Sequence, residues 1–282
     1  MRVPRTPADF SAMNASPAFQ PGAKKHLGQN FLHDSAVIDR IVQAIAPKAG
    51  DALVEIGPGQ GALTFPLLRA HGALTAIEFD RDIIAPLSAR ASEHGTLRLI
   101  NANVLDVDFT ALAAELNAPR IRLVGNLPYN LSSPILFHAV DHLAAIQDMH
   151  FMLQKEVVER MAAEPGSKVY GRLSVMLQAV CHVVPLFVVP PHAFRPAPKV
   201  DSAIVRLAPR DPASIGIAHP KVFAHVVRAA FGQRRKTLRN ALNGVASPEQ
   251  IIATGLKPEV RAEQVSVAEF IDLANRVGRE TA

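Results

Sequence analysis

The tetrapeptide Asn126-Leu127-Pro128-Tyr129 brings together the residue types best suited to chemistry in this chain. An adenine's exocyclic amine is a poor nucleophile because its lone pair is delocalised into the ring. Two fixed acceptors at its hydrogens, the Asn126 side-chain oxygen and the Leu127 backbone carbonyl, would localise that lone pair and aim it at a sulfonium methyl. Pro128 has no N–H and a fixed φ, which helps hold the neighbouring carbonyl in direction. Tyr129 offers a flat face to a base taken out of its stack, a contact worth on the order of 1 to 3 kcal/mol. Phe194, in the Pro-punctuated run 193–202, is the candidate for a second face; with no Trp and two Tyr in the chain, an aromatic in a polar loop is informative. A neutral amine attacking a cation needs orientation and proximity more than a strong base. The lack of a Ser-His-Asp set, or of an H-E-x-x-H run among the 11 histidines, therefore does not weigh against this chemistry, and no metal is expected. The plainer readings are a proline turn at 126–129 and loop packing at Phe194.

A second run, Glu55-Ile56-Gly57-Pro58-Gly59-Gln60-Gly61-Ala62, follows a short apolar stretch. Its glycines let the backbone turn sharply and approach a ligand, so Glu55, Gly57 and Gly59 are read as cofactor-binding. Glu78 closes the next apolar run, where a carboxylate can accept hydrogen bonds from both ribose hydroxyls. That geometry suits adenosylmethionine and a nicotinamide dinucleotide equally, so at this point a dehydrogenase stays open.

The elements that must position these residues are legible as short apolar runs at 52–56, 74–78, 97–100, 121–124 and 149–153, separated by helical stretches. That alternation predicts a parallel sheet with crossover helices. Runs at 183–189 and 203–207 leave little room for a helix between them and read as antiparallel. A first helix is expected over 35–46, capped by Asp34 or Ser35. The chain thus divides into a leader at 1–23, an α/β catalytic domain at 24–208, a Pro- and Gly-rich linker at 209–220, and a helical domain at 221–282 that reads as helical throughout. Five cations, Arg228, Arg234, Arg235, Lys236 and Arg239, lie where no acid occurs between Asp211 and Glu249. On a helix starting near Gln233, Arg235 and Arg239 would stand one turn apart and could track a phosphate backbone; a solvated helical face is the bland alternative. The formal charge of +5 and a pI of about 9.6 favour an anionic partner. The single Cys181, in an apolar run, reads as core and suggests a reducing compartment. With no signal-peptide or membrane-length apolar stretch, a soluble, cytoplasmic, monomeric protein with no membrane partner is expected.

Taken together, the Gly28-Gln29-Asn30-Phe31-Leu32 run, the 55–64 loop, the 126–129 tetrapeptide, and the segments 151–157, 170–175, 194–202 and 231–240 resemble, in order, the small-subunit rRNA adenine dimethyltransferases of the KsgA (RsmA) type. The resemblance implies a class I S-adenosylmethionine-dependent methyltransferase: a Rossmann-like, seven-stranded, mostly parallel sheet with one antiparallel strand, plus a small all-helical C-terminal domain. It implies methylation of N6 on two adjacent adenosines in the 3′-terminal hairpin of 16S rRNA, within the immature small ribosomal subunit, with S-adenosylhomocysteine as by-product. The family's cofactor contacts fall on Asn30, Leu32, Gly57, Glu78 and Asn126. At Asn103 the family usually carries an Asp that bonds the cofactor's adenine amine; the amide oxygen can still accept that bond, without charge assistance, so weaker cofactor binding is expected. Leu27 stands where a Phe is common. A related large-subunit methyltransferase and a noncatalytic ribosome-assembly factor remain alternatives; the 170–175 run and the basic C-terminal segment favour the small-subunit branch.

Overall fold

The computed structural model describes residues 30–233 and 235–281. The leader, Lys24, Lys25, Leu27, Gly28, Gln29 and Arg234 lie outside the described residues. After a two-residue strand β1 (Phe31–Leu32), helix α1 (Ser35–Ile45) starts where the Asp34 carboxylate accepts the Ala36 and Val37 N–H groups and ends at a left-handed Ala46. Val37, Ile41 and Ile45, at helical spacing, form its buried face.

The alternation predicted from the sequence then unfolds: β2 (Ala52–Ile56), α2 (Thr64–His71), β3 (Ala73–Glu78), α3 (Arg81–Ala91), β4 (Thr96–Asn101), α4 (Phe109–Glu115), β5 (Ile121–Asn126), α5 (Ser132–Asp141), β6 (Ile146–Gln154) and α6 (Lys155–Met161). Helix α7 (Arg172–Gln178) leads into β7 (Cys181–Val189), the two-residue β8 (Phe194–Arg195) and β9 (Ser202–Pro209). The seven long strands lie in the order β4-β3-β2-β5-β6-β9-β7, and β9 is antiparallel to both of its neighbours. Apolar side chains of successive strand residues feed two cores, one under α1, α2 and α3, the other under α4, α5 and α6. Buried Cys181 belongs to the second.

The C-terminal region carries the expected helices in short pieces. Helices α8 (Pro212–Ile215), α9 (Pro220–Ala230), α10 (Leu238–Ala241), α11 (Pro248–Ile252) and α12 (Val267–Thr281) are separated by turns and extended chain, and α8 falls inside the segment read as a linker. No helix starts at Gln233. Thr237 is extended and bridges Arg261, while the Leu238 and Arg239 N–H groups donate to the Val260 and Pro258 carbonyls at 2.6 and 3.0 Å. Those cross-chain bonds hold the backbone open, so Arg235 and Lys236 sit in a turn and the expected Arg235–Arg239 helical ridge does not form. The helical core also draws in Tyr170, Val175 and Ala179 from the other side of β7, with the Tyr170 hydroxyl donating to the Val265 carbonyl at 3.0 Å. Among the described residues no helix is long and apolar enough to cross a membrane.

Candidate active site

The chain leaves β2 toward β3 and β4 on one side, and β5 carries it to β6 on the other. In an open α/β sheet that reversal of direction opens a crevice at the carboxyl ends of the two central strands. A cleft of about 300 Å³ lies there, and it gathers the expected cofactor residues Asn30, Leu32, Glu55, Gly57, Gly59, Glu78 and Asn103 together with the whole Asn126-Leu127-Pro128-Tyr129 run.

The close approach of the two strands depends on glycine. A Cβ on Gly125 would stand 2.5 Å from the Ile56 carbonyl oxygen. In the loop after β2, Gly57 has φ of 68° and a Cβ there would meet nothing, so its open side faces free space. The loop is tied to β3 by Glu78, whose carboxylate accepts the Gly59 N–H at 3.3 Å and the Asp80 N–H at 2.8 Å. Burial raises the Glu78 carboxyl, and those two N–H groups oppose the rise. Glu55 is 1 % exposed and, among the described residues, accepts one hydrogen bond, from the Thr64 hydroxyl at 2.7 Å. Burial pushes its carboxyl up to about 8, with the Thr64 bond pulling down and the Glu78 charge adding to the rise. Two acids thus line the cleft, with no Lys, Arg or His among its described lining residues. The Asn103 side-chain oxygen accepts the Leu105 N–H at 3.2 Å and caps the turn at 104–106; its second lone pair remains for a ligand amine.

At the other wall, the Asn126 Nδ2 donates to the Asn30 carbonyl at 3.2 Å. A carbonyl can only accept, so this bond assigns the amide orientation and leaves Oδ1 as an acceptor in the cleft. The Leu127 N–H donates to the Met152 carbonyl, and the Pro128 carbonyl accepts from the Leu131 N–H and the Ser132 hydroxyl. Among the described residues none donates to the Leu127 carbonyl. The Tyr129 hydroxyl lies 2.7 Å from the Ser202 hydroxyl at the start of β9, which fixes the ring, and burial raises its phenol.

Phe194 does not join this group. It is 2 % exposed, packs with Leu32, Val189 and Ile204, and does not line the cleft. The cause is the ladder between β1 and β8, which pairs Leu32 with Phe194 and turns the ring into the core. The aromatic face expected of Phe194 lies within the core in this structure. The C-terminal cations stand apart from the cleft: Arg228, Arg235, Lys236 and Arg239 are all exposed, Arg228 with its Nη2 3.0 Å from the His225 ring. Arg172 on α7 lies with its guanidinium 5.4 Å from the Phe137 ring centroid on α5.

Three residues of the site escaped sequence reasoning. Phe79, 64 % exposed at the cleft, was signalled only by its place after Glu78. Asn101 holds the end of β3 through bonds from Nδ2 to the Glu78 and Phe79 carbonyls at 2.8 and 3.3 Å. Ser202 meets Tyr129 across 73 residues of sequence, a pairing no local pattern carries.

Comparison with known proteins bears on the same cleft. The sequence profile described as "Ribosomal RNA adenine dimethylase" matches residues 21–278. The "Ribosomal RNA small subunit methyltransferase A" proteins of Xanthomonas axonopodis pv. citri (strain 306) and Xanthomonas euvesicatoria pv. vesicatoria (strain 85-10) are each 68 % identical over 263 residues, covering 93 % of this chain and 98 % of theirs. A crystal structure of a dimethyladenosine transferase from Plasmodium falciparum is similar with a TM-score of 0.73 at 25 % identity, covering 88 % of this chain and 98 % of that one. The 23S rRNA methyltransferase ErmE shares the fold, with a TM-score of 0.67 at 24 % identity over 88 % of this chain and all of its own. The chain belongs to the ribosomal RNA adenine dimethylase family and is an S-adenosylmethionine-dependent rRNA methyltransferase.

Proposed function

We propose that this chain transfers methyl groups from S-adenosylmethionine to N6 of two adjacent adenosines in the 3′-terminal hairpin of 16S rRNA, within the immature small subunit. The product is N6,N6-dimethyladenosine, with S-adenosylhomocysteine as by-product. The observation that carries the site reading is the orientation of Asn126, whose NH₂ is spent on the Asn30 carbonyl.

The cleft suits the cofactor: a cationic ligand meets two acids and no competing cation among the described lining residues. Glu78 would take the ribose hydroxyls, Asn103 the adenine amine, and the backbone at Gly57 and Gly59, with Asn30 and Leu32, the amino-acid portion. When bound, the cofactor supplies an electrophilic methyl group. The chain's own part is to place the nucleophile. Asn126 Oδ1 and the Leu127 carbonyl accept the two N6 hydrogens, Pro128 stiffens the turn, and Tyr129 gives the base a face to rest on. Localising the amine's lone pair and restricting its approach lower the barrier without a strong base.

The reading extends to the chain's organisation: residues 24–208 form the catalytic unit, 209–220 a connection, and 221–282 the RNA-binding unit of a cytoplasmic monomer. Arg228, Arg234, Arg235, Lys236 and Arg239 contact phosphates, which set position and leave base choice to the cleft.

Small subunits lacking this modification, incubated with tritiated S-adenosylmethionine and the purified chain, should incorporate label that elutes as dimethyladenosine after hydrolysis. Label confined to large-subunit RNA, or none in either, would overturn the assignment.

A further inference from the structure

We propose that Glu55 is the residue that sets the cleft's preference for the cationic methyl donor over its neutral thioether product, and that it releases a proton to solvent when the donor binds. The inference rests on the cofactor reading above and concerns what this carboxyl does there.

The geometry isolates the group. Glu55 is 1 % exposed on β2, and its one hydrogen-bond donor among the described residues is the Thr64 hydroxyl from α2. From β3 it faces a second acid, Glu78, and across the ladder β5 presents Val124 at its register position. The cations these elements carry, Arg69 and His71 on α2 and Arg122 on β5, are neither among the described cleft-lining residues nor among the groups acting on Glu55. A carboxylate so placed has neither solvent nor a positive partner to stabilise its charge, so the resting protein holds it largely as the neutral acid. Burial lifts the Glu55 carboxyl to about 8, so at pH 7 the protonated form predominates there.

The donor and the product share their adenosine, ammonium and carboxylate and differ by the methyl group and the sulfonium charge. Entry of the donor places a cation in a cleft of low dielectric and favours the ionised acid, so one proton leaves for solvent. Methyl transfer breaks the S–CH₃ bond, whose electron pair stays on sulfur, and forms an N–CH₃ bond from the amine's lone pair; the methylated nitrogen then releases one proton to solvent. The sulfonium charge is then gone. Glu55 regains its proton from solvent, and the attraction that held the donor is lost for the product. Glu78 is less suited to this part, because backbone N–H groups from Gly59 and Asp80 already stabilise its charge.

Titration calorimetry of the full chain with S-adenosylmethionine and with S-adenosylhomocysteine, in buffers of different ionisation enthalpy at pH 7, reads the proton count directly. The wild type should release close to one proton with the donor and clearly less with the product. Glu55→Gln should release none beyond the ligands' own titrations and should lose about tenfold or more of its preference for donor over product. Thr64→Val removes the one bond that favours the carboxylate, so at pH 8 it should release more protons than the wild type. This second variant keeps the test in force should the Gln protein fail to fold. Donor binding without proton release in the wild type overturns this proposal alone, as does unchanged release in Glu55→Gln or in Thr64→Val. No donor binding at all overturns the cofactor reading and this proposal with it.

Discussion

Truncating Asn126 to alanine removes two bonds of unlike kind. One, from Nδ2 to the Asn30 carbonyl at 3.2 Å, braces the wall of the cleft and is made without substrate. Its loss costs about 0.5 to 1.5 kcal/mol, which is about 2- to 12-fold in donor affinity. The other, the proposed bond from the N6 hydrogen to Oδ1, would strengthen only as the amine becomes the nucleophile, and removing a fixed group that stabilises developing charge costs on the order of 10²- to 10³-fold in kcat. Asn126→Ala should therefore lower kcat far more than it weakens donor or subunit binding. Asn126→Asp keeps acceptors on the base side but sets a carboxylate against the Asn30 carbonyl; it should regain part of the lost turnover while donor affinity stays reduced. Single-turnover methylation of unmodified small subunits, run beside equilibrium donor binding, separates the two effects. A fall in kcat of less than about tenfold, or equal losses in kcat and donor affinity, would refute the division of roles between the two amide atoms.

Replacing Arg235 and Lys236 together by alanine should raise KM for the subunit several-fold, flatten the salt dependence of binding and leave kcat near its wild-type value; a loss of kcat at saturating subunit would remove these cations from a positioning role. Arg122→Ala should destabilise the fold by about 3 to 5 kcal/mol in urea titrations, because Asp148, 3 % exposed, loses bonds at 2.8 and 3.1 Å and keeps Arg206 at 3.3 Å; a change under about 1 kcal/mol would show that Arg206 suffices. The folded protein holds a proton on Glu55 between its ordinary value of 4.5 and about 8, where the unfolded chain does not. Stability without ligand should consequently fall as pH rises through that window and level off above it, and Glu55→Gln should lack this fall. Parallel pH profiles of the two proteins' urea midpoints would contradict the assignment.

Much of the site was legible because its residues are close in sequence. Gly57 and Gly59 stand immediately after a buried strand, Glu78 closes the next one, and Asn126 to Tyr129 follow a third, so local spacing placed each at the same edge once the sheet was inferred parallel. Reasoning failed where a position depended on a partner distant in the chain. Phe194 reads as a loop aromatic, yet pairing with Leu32, 162 residues away by subtraction of their numbers, buries it. Arg235 reads as helical because nothing at 231–237 forbids a helix, but Val260, Pro258 and Arg261 claim the backbone there.

The sequence by itself determined the order of strands and helices, the glycine turn, the acids at the strand ends and the polar tetrapeptide, because apolar periodicity and the φ demands of Gly and Pro act within a few residues. Only the tertiary structure decided which way the Asn126 amide points, that Ser202 fixes Tyr129, that Glu55 lies buried in a cleft without a cation among its described lining residues, and how the basic segment is shaped. Those outcomes depend on hydrogen bonds and fields between atoms brought together by folding, and such interactions fall off with distance in space, not along the chain.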